Sequence, residues 1–138
     1  MPMSEPTPFR WPVRVYWEDT DAGGVVYHAS YLRFMERART EWLRGIGIDQ
    51  SALKQSTGLA FLVREMQIDF LKPALLDDEL SATVEVKERR AASILFMQTI
   101  ERTDGSCLIR ARVRVACVDV QRMRAAPIPA DLFAKRAP

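Results

Sequence analysis

The sequence predicts an α+β domain in which one substantial helix is buried against one face of a five-stranded sheet. Two observations carry this. From about Ser30 the apolar residues change from a two-residue period to three- and four-residue spacing, and from about residue 60 four alternating segments follow one another with turn residues between them. Nothing else in the chain is large enough to cover the helical stripe, so it has to lie on the sheet.

Residues 1–8 carry Pro2, Pro6 and Pro8 and are expected to form a loose arm, which leaves 9–138 as one domain. From Phe9 to Glu18 a strand is expected, with Val13, Val15 and Trp17 on one face and Arg14, Tyr16 and Glu18 on the other. The helix follows. Tyr31, Phe34, Met35, Ala38, Trp42, Leu43 and Ile46 form its apolar stripe, Ser30 is the expected N-cap, and Gly45 and Gly47 mark its end. Glu36 and Arg39 are spaced to pair along it. A shorter helix is expected from Asp49 to Ser56, stopped by Gly58.

The remaining strands are predicted at about 60–71, 79–89, 93–102 and 107–120. In the second of these, Leu80, Ala82, Val84 and Val86 alternate with Ser81, Thr83, Glu85 and Lys87. Lys72-Pro73-Ala74 breaks the first pair, and Thr103-Asp104-Gly105-Ser106 reads as a hairpin turn. A last short helix is expected near Ala130–Lys135. Five strands leave two open edges, and edge-to-edge dimerisation is an economical way to protect one of them.

Composition narrows the function classes. The chain has 138 residues, 48% hydrophobic and 28% charged, a balance that suits a soluble globular protein. No apolar run approaches the ~20 residues of a membrane span. The opening MPMSEPTPFR has no basic segment leading into an apolar core, so no export signal is expected and the expected location is cytoplasmic. A formal net charge of +2 is too weak to argue for nucleic acid, although arginine greatly outnumbers lysine among the 20 basic residues. Cys107 and Cys117 fall on one predicted strand, ~33 Å apart when extended, beyond any intrachain bridge.

The stretch EDTDAGGVVYHASYLRF, residues 18–34, concentrates the chemistry. It holds Glu18, Asp19 and Asp21, then Gly23 and Gly24, then His28, the one histidine, between Tyr27 and Tyr31. One histidine and two distant cysteines do not make a zinc site within a chain. No phosphate-binding loop, dinucleotide fingerprint or GxSxG elbow is present. A calcium loop starting at Asp19 would put Gly23 and Ser30 where oxygen-rich ligands are required. What remains is a carboxylate beside a helix N-terminus, whose free N–H groups and dipole favour a developing oxyanion. A carboxylate there is placed either to attack an ester or thioester carbonyl or to take a proton from water. The same grammar also serves a purely structural strand-to-helix loop.

The run Arg14-Val15, four residues, Thr20-Asp21, two residues, Gly24-Val25-Val26-Tyr27, then Tyr31, resembles the active-site signature of the 4-hydroxybenzoyl-CoA thioesterase family of hotdog-fold enzymes. The longer string FRWPVRVYWEDTDAGGVVYHASYLRFMERARTEWLR, with FLVREMQIDFLKPALLDDEL and VACVDVQRM, resembles more closely the Tol–Pal-associated acyl-CoA thioesterases. The resemblance implies a curved antiparallel sheet wrapped around the long helix, in a homodimer or homotetramer with active sites at the subunit interface. It implies Asp21 as the catalytic carboxylate, nucleophile or general base, with a carbonyl-polarising N–H at or near His28 and an assisting His28 side chain. Gly24, Tyr27 and Tyr31 would border the thioester, and Phe61, Leu62 and Val63 would supply pocket wall from the partner subunit. No metal or cofactor is implied. The implied substrate is an acyl-CoA, aliphatic more than aromatic, with acyl carrier protein as a possible further partner.

Asp19 reads as a loop hydrogen-bonding acid, since one positioned carboxylate suffices. Arg110, Arg112 and Arg114 alternate on one strand face and read first as solvated. Arg89 and Arg90, at a predicted hairpin, are candidates for a CoA phosphate. Two other function classes remain: a non-catalytic acyl-thioester or carrier-protein binding module, and a scaffold of the Tol–Pal system.

Overall fold

The computed structural model describes residues 7–133. In chain order its elements are β1 (Phe9–Arg14), a 3-10 turn (Trp17–Asp19), α1 (Ser30–Gly45), α2 (Gln50–Thr57), β2 (Leu59–Phe70), β3 (Glu79–Arg89), β4 (Ser93–Arg102), β5 (Cys107–Asp119) and the two-residue β6 (Arg124–Ala125). Across the sheet the order is β1-β3-β4-β5-β2, with β6 added to β5 and every pairing antiparallel. Register shifts interrupt β2 at Val63/Glu65, β3 at Val86/Glu88 and β4 at Ile100/Glu101. Such irregularities bend strands and increase their twist. The helix α1 packs on β1, β3 and β4, the helix-on-sheet arrangement that the hotdog resemblance implies.

The stripe that faces the sheet is the expected one. Tyr31, Phe34, Met35, Ala38 and Leu43 are buried, and they meet a core that includes Val15, Ala82, Val84, Ile100, Ile109 and Val113. The second helix also follows its sequence: the Asp49 carboxylate accepts from the Ala52 amide at 3.1 Å, and Gly58 ends it with φ 74°. Cys107 and Cys117 are both free thiols on β5.

Four local expectations are corrected. The first strand ends at Arg14, not Glu18, because the Asp19 carboxylate accepts from the Tyr16 amide at 2.9 Å and folds the chain into a 3-10 turn. Trp17 therefore points to solvent, 79% exposed, away from buried Val13 and Val15. Ser30 is the first helical residue and caps nothing; its hydroxyl donates to the Asp19 carbonyl at 3.1 Å. Arg39 does not bond to Glu36 but turns inward, where its Nη1 donates to the Gln98 Oε1 at 2.9 Å. Residues 130–133 form a turn rather than the start of a helix, and 134–135 lie outside the described residues, as does most of the expected arm at 1–8.

Gln98 is a polar anchor within the apolar contact of helix and sheet. Fully buried, its amide donates to the carbonyls of Met35 on α1 and Thr83 on β3, both at 3.1 Å, while its oxygen receives Arg39. Burial lowers the Arg39 pKa, opposed by the charge of Glu36. The exchange Gln98→Ala removes a buried volume and strips the guanidinium of its acceptor. It is expected to cost about 3 kcal/mol or more, read as a lowered urea midpoint with an unchanged slope.

Candidate active site

The loop from Thr20 to Ala29 joins the 3-10 turn to α1 and is tied down at several points. The Asp21 amide donates to the Val25 carbonyl at 2.9 Å and the Gly24 amide donates to the Asp21 carbonyl at 3.0 Å, which closes a tight turn. Gly24 sits at φ 81°, a conformation in which side-chain-bearing residues are strained. Gly23 serves a different need. Its amide donates to Asp21 Oδ1 at 2.8 Å, and a Cβ at Gly23 would lie 3.2 Å from that same oxygen. The two glycines thus shape the turn that holds Asp21, whose side chain is exposed.

A second segment braces the loop from the other side. Val26 donates to the Ala74 carbonyl at 2.9 Å, and the Ala74 amide donates to the Tyr31 hydroxyl at 3.0 Å. Tyr31 is almost fully buried, against Phe34 and Phe70. Burial raises its phenol pKa against the lowering effect of the Ala74 amide, and the charge of nearby Asp21 adds to the rise. Tyr27 is exposed, its ring 4.5 Å from that of His28.

The start of α1 leaves donors available. Tyr27 donates to the Asp19 carbonyl at 2.8 Å and Ser30 donates to the Tyr27 carbonyl at 2.8 Å, whereas the amides of His28 and Ala29 have no acceptor among the described residues. Beside them is an open cavity of about 300 Å³ bordered by Val26, His28, Tyr31, Phe70, Leu71 and Lys72. His28 and Phe70 meet edge-on across it, with centroids 6.4 Å apart.

Asp21, Gly24, Tyr27, His28 and Tyr31 are therefore gathered in one loop and the helix start that follows it. Phe61, Leu62 and Val63 are not. They lie on β2, where with Glu36, Arg39 and Thr40 they line a separate cavity of about 260 Å³. Leu62 and Val63 also border a third depression, about 630 Å³, that carries Arg64, Arg90 and Arg124. Sequence reasoning missed Phe70, Arg64 and Arg124, because each reaches its place through strand pairing across many residues. Of the other arginines, Arg89 stacks on Phe133 at 4.7 Å, Arg90 pairs with Glu88, and Arg114 donates to the Ser93 hydroxyl at 3.1 Å. Arg110 and Arg112 face solvent.

A sheet of this topology on one helix, with a carboxylate loop at the helix start, defines a hotdog-type thioesterase scaffold, and the comparisons agree. The chain belongs to the thioesterase-like superfamily, whose model matches residues 15–135. It is 48% identical over 129 residues to the acyl-CoA thioester hydrolase YbgC of Escherichia coli O6:H1, covering 94% of this chain and 96% of that one. To the acyl-CoA thioesterase YbgC of Haemophilus influenzae it is 49% identical over 126 residues, 91% and 92% of the two chains. Among solved structures, a probable thioesterase from Bartonella henselae superposes with a TM-score of 0.84 at 34% identity, covering 89% of this chain and all of that one.

Because nothing lies within 4 Å of a Cβ built on Gly24, only backbone strain opposes a side chain there. Gly24→Ala is expected to cost about 1 kcal/mol and Gly24→Asn less, measured by thermal unfolding.

Proposed function

We propose that this protein hydrolyses acyl-CoA thioesters to the free acid and CoA, with Asp21 as the catalytic carboxylate. The observation that carries the reading is the pairing, in one braced loop, of an exposed carboxylate with two unspent amides, those of His28 and Ala29, beside an open cavity. A thioester carbonyl directed at those amides gains hydrogen bonds as negative charge grows on its oxygen. Asp21 then acts in one of two ways. As a base it takes a proton from water, the hydroxide oxygen bonds to the carbonyl carbon, and the C–S bond breaks to release the CoA thiolate. As a nucleophile it bonds to that carbon itself, expels the thiolate, and leaves a mixed anhydride for water to open. In this reading the His28 imidazole assists, and Tyr27 and Tyr31 border the reacting group.

The depression with Arg64, Arg90 and Arg124 suits the phosphates of CoA, and its apolar floor suits the pantetheine arm. In this reading the acyl group is aliphatic, and acyl carrier protein is an alternative carrier of the same thioester. The protein works as a homodimer or homotetramer in the cytoplasm, where acyl-CoA is found, in association with the Tol–Pal system. The open edge of β2, with Leu62, Val63 and Phe70 exposed, supports edge-to-edge pairing that carries Phe61, Leu62 and Val63 to the partner's site.

The test is thiol release from short, long and aromatic acyl-CoAs. Asp21→Asn is expected to lower turnover by ~100-fold or more with the fold intact. Turnover that survives this exchange, or a wild type that binds acyl-CoA and never cleaves it, favours a binding module instead. His28→Ala is expected to lower kcat if the side chain assists; unchanged kinetics removes the imidazole from the mechanism. Arg64→Ala with Arg124→Ala is expected to raise KM for CoA thioesters and to leave kcat near its starting value.

A further inference from the structure

The acid that the proposed chemistry does not use is the one most thoroughly bonded. Asp19, two residues before Asp21, is 3% exposed. Its Oδ2 accepts from the Tyr16 amide at 2.9 Å, and its Oδ1 lies 3.3 Å from Arg33 Nη2. Its backbone carbonyl accepts twice, from the Tyr27 amide at 2.8 Å and from the Ser30 hydroxyl at 3.1 Å. Arg33 Nη2 also donates to that hydroxyl, at 3.1 Å. One residue thus joins the 3-10 turn, the segment after the glycines and the first turn of α1.

The consequence concerns the relative placement of two groups. Asp21 leaves Asp19 after a single intervening residue, Thr20, whose hydroxyl is tied to the Trp17 carbonyl at 2.8 Å. On the other side, the Tyr27 amide is consumed by Asp19, so the first unspent donors are the next two, His28 and Ala29. The attacking carboxylate and the carbonyl-binding amides are therefore both referenced to the same buried residue, one through the chain and the other through hydrogen bonds. Among the described residues, the Asp21 side chain has only the Gly23 amide of its own turn to hold it.

We propose that Asp19, buttressed by Arg33 and Ser30, is a positioning residue that sets the distance between the Asp21 carboxylate and the His28 and Ala29 amides. It touches no substrate and acts through the loop. The proposal rests on the thioesterase reading above. A displacement of the order of 1 Å between reacting groups is enough to cost a large rate factor, so a loosened clamp shows in kcat. The CoA-binding arginines lie on other elements, so KM stays.

The experiment compares wild type, Asp19→Asn, Arg33→Met and Arg33→Lys in steady-state thioester hydrolysis, with thermal melts alongside. Asparagine keeps the acceptor for Tyr16 and loses the charge that holds Arg33. Asp19→Asn and Arg33→Met are each expected to lower kcat roughly tenfold or more with KM within about twofold, and Arg33→Lys, which keeps a cation for Asp19, to recover most of the loss. A merely structural role lowers the melting temperature and leaves kcat per folded molecule and KM unchanged; that result in both Asp19→Asn and Arg33→Met overturns the proposal. Should Asp19→Asn fail to fold, Arg33→Met decides alone, since Arg33 is half-exposed and its removal leaves no void. A wild type without turnover removes the thioesterase reading itself, whereas an active wild type with unaffected variants removes only this inference.

Discussion

Everything in this molecule depends on burying one face of α1 against the sheet. Phe34, Met35 and Ala38 lose all contact with water there, and each apolar side chain so buried contributes on the order of 1–3 kcal/mol before the cost of ordering it. That contact is non-directional, and by itself it would let the helix slide. Gln98 supplies the direction. By bonding at once to a helix carbonyl, a strand carbonyl and the Arg39 guanidinium, it sets where along the sheet the helix rests. A buried polar network of this kind is tolerable because its members satisfy one another.

With the helix held, its N-terminus becomes a fixed point against which a loop can be built. The loop from Thr20 to Ala29 is held by buried Val26, by hydrogen bonds and by the brace at Ala74. The two neighbouring aspartates divide the work by burial. Asp19 spends its oxygens on amides and on Arg33, while Asp21 spends one on Gly23 and presents the rest to solvent. Two carboxylates of one stretch thus differ in surroundings, one facing the protein and the other facing outward.

A group of arginines lies on a different part of the sheet. The arginines at 64, 90 and 124 come from β2, the β3–β4 connection and β6, and they border one depression only because β2 and β6 both pair with β5. Arg90 is partly neutralised by Glu88, which leaves Arg64 and Arg124 as the less committed charges. The edge strand β2 links the regions: its end at Phe70 reaches the His28 cavity and its beginning borders the arginines.

Much of the fold was legible in the chain because it rests on short-range periodicity. The alternation of Leu80, Ala82 and Val84, the stripe from Tyr31 to Leu43 and the stop at Gly58 are local signals, and each lies where the sequence predicts it. The acids, glycines and histidine of the site were legible for the same reason, being consecutive. Errors arose where a specific hydrogen bond outbid a pattern-level preference. Tyr16 and Trp17 continue a strand pattern, yet the Asp19 carboxylate turns the chain; Ser30 has the chemistry of a cap, yet it bonds to a carbonyl eleven residues back; Arg39 has Glu36 one turn away, yet it goes to Gln98 on β4. The sequence alone determined which residues are apolar, where the long helix and most of the strands run, and which loop gathers the acids, glycines and histidine, because those follow from neighbours a few positions apart. Only the tertiary structure decided which aspartate is buried, which amides remain free and which arginines share a groove, because hydrogen bonding and burial are settled by what the rest of the chain brings alongside.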